Sequence, residues 1–473
     1  YDGRVGGLAR LGAATVATLA LLALAGPAGA QPLDDTCNGL SPSAAPCIGF
    51  QKLAERAAAE CRRAGLPAAA CTLPVGHQVG DDVTSAYLNT WVHRAAAFQS
   101  KLGDALPLGD AQWLGTHNSF NSVNDPPTLS KTDSNQQLSL TQQLDSDIRA
   151  IELDVHWVPN LHAGGANGVV VCHARGPDEQ DLGCTNERPF SDVLPEVAAW
   201  LKSHPSEVVL LYLEDNLADP AGYAETVSVL DKVLGSRIYR PSQSQVGPKG
   251  CADLPLGISR DDVRGRHAQV VLVGNCRSGW ASDVFGWDDV HVESGSTSRY
   301  RPFPTCDATY ARGVYDSKLV RYYEDSTFVS AAVDPTWSPA DQDAELLNPN
   351  RVAAMTRCGV NLFGFDQFLP GDGRILASIW SWAQNKPDRA DGRCAVQGAS
   401  GRWTTRHCRT RHRGACLIGE DWRLTAPALS WDRAHRACLR RGGRLGLPRS
   451  GYANELLRTR HARGEVWLAY RLP

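Results

Sequence analysis

Four short stretches set imidazoles, carboxylates and an amide at the ends of apolar runs. They are Gly115-Thr116-His117-Asn118-Ser119, Ile151-Glu152-Leu153-Asp154-Val155-His156-Trp157, Val169-Val170-Val171-Cys172-His173-Ala174 and Leu211-Tyr212-Leu213-Glu214-Asp215-Asn216. Alternate side chains of a strand share a face, so Glu152 and Asp154 project together while Ile151, Leu153 and Val155 project the other way. A strand that spends two apolar positions on carboxylates loses stability unless they are paired or bind a cation. Two carboxylates about 4 Å apart repel by roughly 4 kcal/mol at an effective dielectric of about 20. With Glu214 and the Asn118 amide they form a hard, all-oxygen set that suits Ca²⁺, and Mg²⁺ less well. His117 and His173 flank the set as a general base and general acid for a phosphodiester. A cation there would neutralise developing phosphate charge. Any one of these residues alone reads as structural; the combination carries the chemistry. His156 shares the face of Asp154 and is read as structural, and His204, before Pro205, as a satisfied group at a helix end.

Strands that place such groups together must be parallel and close-set. Residues 111–116, 150–155, 169–172, 208–213, 269–274 and 361–365 read as buried strands, alternating with helices at 138–148, 190–204, 221–238, 344–357 and 375–384. The fold class expected is α/β, a TIM-like (β/α)₈ barrel over residues 106–387, whose active site lies at the mouth formed by the C-terminal strand ends. Residues 281–340 resist parsing. Residues 31–105 read as a helical, cysteine-stapled segment, with apolar helical spacing at 50–65 and 84–102. The composition turns to Arg, Gly, Cys and Trp after Lys386-Pro387, which sets a boundary near residue 388.

In order and spacing, Thr116-His117-Asn118-Ser119, Glu152-Leu153-Asp154, His173 and Leu213-Glu214 resemble the X-domain of phosphatidylinositol-specific phospholipase C, over roughly residues 84–387. The likeness is to secreted, metal-dependent members of the PLC-like phosphodiesterase superfamily. It implies that His117 deprotonates the inositol 2-hydroxyl, that His173 protonates the leaving diacylglycerol, and that Asn118, Glu152, Asp154 and Glu214 bind Ca²⁺. It implies a cyclic inositol phosphate as product and, through Gly364-Phe365-Asp366, an aspartate that orients the first histidine. Metal-independent members carry an arginine in place of the cation; here the acidic set is complete. No residue clearly matches the family's inositol-contacting basic groups or its stacking tyrosine. Arg175, Arg277 and Tyr323 are candidates that each read first as ordinary surface or core residues. Two alternatives stay open: a sphingomyelinase D-like or glycerophosphodiester-type hydrolase, and a non-catalytic secreted adhesion protein.

The chain's ends point outside the cell. Arg4 and Arg10, the apolar run 11–25 and Ala28-Gly29-Ala30 make residues 1–30 a signal peptide with Gln31 as the first mature residue; an uncleaved anchor is the alternative. All fourteen cysteines follow Ala30, which fits a disulfide-bonded secreted protein. Cys172 with Cys184 and Cys394 with Cys408 are plausible local pairs. No C-x-x-C pair is present, which disfavours zinc. The formal net charge is −3, yet residues 389–473 hold eighteen Arg and six acids, or +12. Such a tail suits an anionic surface, with a solvated arginine-rich surface as the bland reading. The partners expected are a phospholipid substrate at a membrane and no nucleic acid, with the protein a monomer.

The tail also resembles a C-type lectin-like domain in permuted order. Trp382, Pro387, Cys394, Gly401-Arg402-Trp403, Cys408 and Cys416 match its second half; Trp431, Ala434, Cys438, Gly443-Arg444-Leu445, Asn454-Glu455 and Val466-Trp467-Leu468 match its first. Lys386-Pro387-Asp388 and Trp403-Thr404-Thr405 depart from the sugar-binding pattern. A stapled basic spacer is the other reading.

Overall fold

The computed structural model describes residues 81–122, 124, 134–174, 183–280, 283–287, 290–294, 302–306, 318–324, 347, 349–371, 373–461 and 463–473. The expected signal peptide and the helix expected at 50–65, with Cys37, Cys47, Cys61, Cys71 and Arg175, lie outside them.

Two helices lead in, α1 (Asp81–Leu88) and α2 (Trp91–Leu102), the latter capped by Thr90, whose hydroxyl accepts from the His93 N–H. The first half of the sheet-bearing region then runs β1 (Trp113–Thr116), α3 (Leu140–Asp145), β2 (Ala150–Pro159), β3 (Asn167–Val171), α4 (Phe190–Ser203), β4 (Val209–Asn216) and α5 (Pro220–Val233). The second half runs β5 (Ala252–Asp253), α6 (Arg260–Gly265), β6 (Val270–Gly274), β7 (Phe285–Gly286), β8 (His291–Ser294), β9 (Leu319–Tyr323), α7 (Pro349–Cys358), β10 (Leu362–Phe365) and α8 (Arg374–Ser378). The strands form one curled sheet in the order β5-β7-β6-β4-β2-β1-β10-β9-β8, parallel throughout, with β3 added to β2. This is the α/β, TIM-like architecture expected from the alternation. Among the described residues no ladder joins β5 to β8.

The two faces of the sheet bury different sets. Ile151, Leu153, Val155, Leu211 and Leu213 pack outward with Val193, Leu194, Val197 and Leu201 of α4. Ala150, Leu210, Tyr212, Val271 and Val273 pack inward with Trp113, Phe285 and Trp287. The parity read along β2 therefore holds, and Glu152 and Asp154 take the inward side. Gly115 lets β1 fit between its neighbours: a Cβ there would meet Ala150 and the Phe363 carbonyl at 2.9 Å.

Two expectations are corrected. The run at 169–172 is not a third parallel strand. β3 pairs antiparallel with β2, from Val155 opposite Val171 to Pro159 opposite Asn167. Parallel neighbours need a crossover of about a dozen residues or more. Only residues 160–166 separate these strands, and Gly164 and Gly165, at φ 68° and 86°, turn the chain straight back. The helix expected at 375–384 ends at Ser378, because Ile379 is extended and Trp380 and Trp382 enter a second core.

That core belongs to β11 (Cys394–Gln397), β12 (Trp403–Arg406), β13 (Arg413–Ile418), β14 (Asp421–Leu424), α9 (Trp431–Leu439), β15 (Arg444–Leu445), α10 (Gly451–Thr459) and β16 (Val466–Arg471). The sheet order is β12-β11-β16-β13-β14, with β15 on β13. Helix α2 bridges both sheets. Phe98 lies 5.4 Å from Trp382 and 5.2 Å from Tyr470, and Gln99 donates to Ser378 O and accepts from the Trp380 N–H. The described residues hold five disulfides: Cys172–Cys184 and Cys394–Cys408, as expected, with Cys251–Cys276, Cys306–Cys358 and Cys416–Cys438. Bonds of this kind persist in oxidising compartments. No described helix is long and apolar enough to cross a membrane.

Candidate active site

The site begins where β1 ends. The His117 N–H donates to Phe365 O on β10, and Ser119 ties the turn to β2, accepting from the Glu152 N–H at 2.9 Å. Asn118 takes φ 43°, a left-handed conformation that asparagine tolerates better than most side chains. Its own N–H donates to Glu152 Oε2 at 3.2 Å. Its side-chain amide lies against Asp154, with 2.7 Å to Oδ2 for the nearer atom.

Asp366 follows β10 and faces His117, with Nδ1 3.1 Å from Oδ2 and 3.2 Å from Oδ1. Asp366 is fully buried and also accepts from Asn135 and Gln136. Burial opposes protonation of His117, but Asp366 and then Glu152 outweigh it, so the imidazole holds its proton well above the usual range.

Glu152 and Asp154 on β2 and Glu214 on β4 each offer an oxygen within 4.8 Å of the others. Asp154 is the direct ladder neighbour of Glu214. Burial, opposed by His117 and reinforced by Glu214, pushes the Glu152 carboxyl up to about 7. Burial and the same neighbouring acids push Asp154 well above its ordinary value. Buried like charges this close favour proton uptake unless a cation neutralises them. Three carboxylates and an adjacent amide, all oxygen donors, fit a hard divalent ion.

The sequence model of the Rv2075c PI-PLC-like domain matches residues 72–372. The chain belongs to that family. The Mycobacterium tuberculosis protein Rv2075c is 50% identical over 450 residues, 93% of this chain and 91% of that protein. A PI-PLC X domain-containing protein of Arabidopsis thaliana is 32% identical over 123 residues, 25% of this chain and 26% of the other. Among solved structures, phosphatidylinositol-specific phospholipase C from Listeria monocytogenes overlays with a TM-score of 0.40 at 18% identity, covering 60% of this chain and 97% of that one. A calcium-dependent phosphoinositol-specific phospholipase C from a Pseudomonas species gives 0.30 at 14%, covering 57% and 93%.

In this PI-PLC-like chain six candidates converge: His117, Asn118, Glu152, Asp154, Glu214 and Asp366. His173 arrives by a different route from the one expected. The β2–β3 hairpin returns to the level of Asp154, where the Cys172 N–H donates to Asp154 O, and His173 follows half-buried. Tyr323 belongs to the site, its ring edge-on to His117 at 5.8 Å. Arg277 is half-exposed and lies 3.5 Å from Asp215, outside the carboxylate cluster. His156 is buried, and His204 stacks on Trp200 and contacts its carbonyl, as structural residues do.

Sequence reasoning missed the frame behind the dyad. Glu324 Oε2 accepts from the Asp366 N–H at 2.5 Å. Arg374 donates to Glu324 at 2.7 Å, to Asp366 O at 3.0 Å and to Gln367 O at 3.1 Å. Glu324 and Arg374 thus grip the Asp366 backbone on both sides. Burial, countered by Arg374, lifts the Glu324 carboxyl to about 7. The available signal was an acid closing Leu319-Val320-Arg321-Tyr322-Tyr323, a β-prone run broken by one arginine, as Glu214 closes 209–213. Arg321 was missed too. It lies over Trp287, Tyr323 and Tyr212 at 4.2, 4.9 and 5.4 Å and draws Glu152 toward its ionised form.

A cavity of about 670 Å³ lies at the opposite end of the strands, lined by Gln112, Arg149, Val208 and Arg260. Its charges pair among themselves, Arg149 with Glu207 and Arg260 and Arg264 with Asp104.

Proposed function

We propose that the chain is an exported, metal-dependent phosphodiesterase that cleaves phosphatidylinositol or a related phospholipid. The observation that carries this reading is the His117–Asp366 pair beside three carboxylates whose oxygens lie within 4.8 Å of one another. Asn118, Glu152, Asp154 and Glu214 would hold the cation, Ca²⁺ in preference to Mg²⁺ because the donor set is wide and anionic. When bound, the ion supplies positive charge for the attacking oxygen and the phosphoryl oxygens.

The remaining steps fall to the chain. Asp366 holds Nδ1 of His117, which leaves Nε2 for the substrate. Held in place by Asp366, His117 in its neutral form takes the proton of the attacking inositol hydroxyl at Nε2. As the new P–O bond forms, the bond to the lipid alcohol breaks. His173 gives a proton to the departing oxygen, so one proton enters the protein and one leaves it. Tyr323, against His117, limits the space for the head group.

Export is supported by the disulfides and the leader-like residues 1–30. The disulfides Cys394–Cys408 and Cys416–Cys438 and the buried Trp403 and Trp467 support reading residues 388–473 as a permuted C-type lectin-like unit.

The test is incubation with phosphatidylinositol, sphingomyelin and glycerophosphocholine, with products typed by phosphorus NMR. A cyclic inositol phosphate is the expected product. Ceramide phosphate or glycerol phosphate would favour the alternative hydrolases. No turnover of any of the three would leave a binding protein.

A further inference from the structure

The arginines of the second sheet region divide into two kinds. Arg406, Arg423 and Arg458 pair with Glu465, Asp421 and Glu455. Arg433 and Arg436 on α9 and Arg440, which caps its C-terminal end in helical conformation, are exposed and enter no ion pair among the described residues. Their spacing of three and four puts them on one helical face. Leu439, between them in sequence, is 53% exposed, one of three exposed large apolar side chains among the described residues. Residues 431–444 hold five arginines and one acid, Asp432. The inner side of α9 is fixed: Ala434 and Cys438 are fully buried, Cys438 is bonded to Cys416, and Trp431 Nε1 donates to Leu468 O.

A cationic face with an exposed leucine, on a helix that cannot turn away, matches the physics of an interfacial helix. The arginines meet lipid phosphates and the leucine reaches the acyl boundary. A purely polyanionic partner would use the arginines and leave Leu439 without a role. We infer that the α9 face docks the protein on an anionic phospholipid bilayer, independently of the catalytic mouth.

The experiment uses the full chain in excess chelator, so that binding is read without turnover. Sedimentation is measured with vesicles of phosphatidylcholine alone and of phosphatidylcholine with phosphatidylglycerol. The chain prefers the anionic vesicles, and added salt releases it. The triple variant Arg433→Gln, Arg436→Gln, Arg440→Gln binds them about 100-fold more weakly, at the usual contribution of a basic residue near an acidic membrane. Leu439→Ser weakens binding while keeping the salt dependence. A control triple with the same loss of charge, Arg449→Gln, Arg460→Gln, Arg463→Gln, keeps near-normal binding, and matching thermal midpoints verify that all variants fold. Equal loss in both triples would show that net charge, not this face, drives binding and would overturn the inference. So would indifference to phosphatidylglycerol, or capture of duplex DNA in place of vesicles. Because no turnover is measured, failure of the phosphodiesterase reading leaves the result intact.

Discussion

Arg374→Met tests the frame behind the dyad. Arg374 and Glu324 are 3% and 0% exposed and share a 2.7 Å ion pair. Truncating one partner of a buried pair strands the other charge, at about 3–5 kcal/mol. For a domain of this size that lowers the thermal midpoint by roughly 6–20 °C, at about 2–4 °C per kcal/mol. The loss must depend on pH. In the folded wild type Glu324 titrates at about 7, against roughly 4.5 when unfolded. The folded state therefore binds more protons over that interval, and this group's contribution to stability falls as pH rises through it. Without Arg374 the carboxylate loses its attractive charge, so the variant's deficit is small at pH 5, where Glu324 is protonated, and large at pH 8. Glu324→Gln combined with Arg374→Met recovers part of the deficit at pH 8, because no charge is left stranded. Turnover falls in the single variant, since Asp366 loses one side of its grip. The assay is calorimetry at both pH values with kinetics alongside. A deficit equal at pH 5 and pH 8, or a double variant less stable than Arg374→Met at pH 8, would show that the Glu324 charge is not what Arg374 stabilises.

Three further outcomes are expected. Asp366→Asn removes the charge that favours protonated His117, so the acidic limb of the pH–rate profile moves to lower pH and turnover drops by about 10²–10⁴-fold; an unmoved limb in a kinetic titration would separate Asp366 from the base. Excess chelator abolishes turnover, Ca²⁺ restores it and raises the thermal midpoint, at about 2.7 kcal/mol for ligand at 100 times its dissociation constant; Asp154→Asn loses the Ca²⁺-dependent rise, and full activity in chelator would remove the roles given to Glu152, Asp154 and Glu214. Gly115→Ala forces a methyl against Ala150 and the Phe363 carbonyl and destabilises by about 1–3 kcal/mol, read as a denaturation midpoint shift.

Much of the mouth was legible because it is encoded locally. Period-two alternation placed Glu152 and Asp154 on one face, and the apolar runs at 111–116 and 208–213 carried His117, Asn118 and Glu214 to strand ends. Asp366 was reached through resemblance, because it stands 249 residues from His117 along the chain. Glu324 closes a strand in a stretch that could not be parsed, and Arg321 breaks the apolar pattern of that strand, so nothing local marked it.

Residue by residue, the sequence determined which side chains can do the chemistry, which strand faces carry them, and that disulfides should form near Cys172 and Cys394. Tertiary structure alone decided that β3 turns back on β2, that Arg374 and Glu324 clamp the aspartate behind the imidazole, and that α2 joins the two sheets. The reason is physical. Alternation and turn chemistry act over a few residues, whereas a strand's partner and the groups beside a buried carboxylate are settled by packing among segments far apart in the chain.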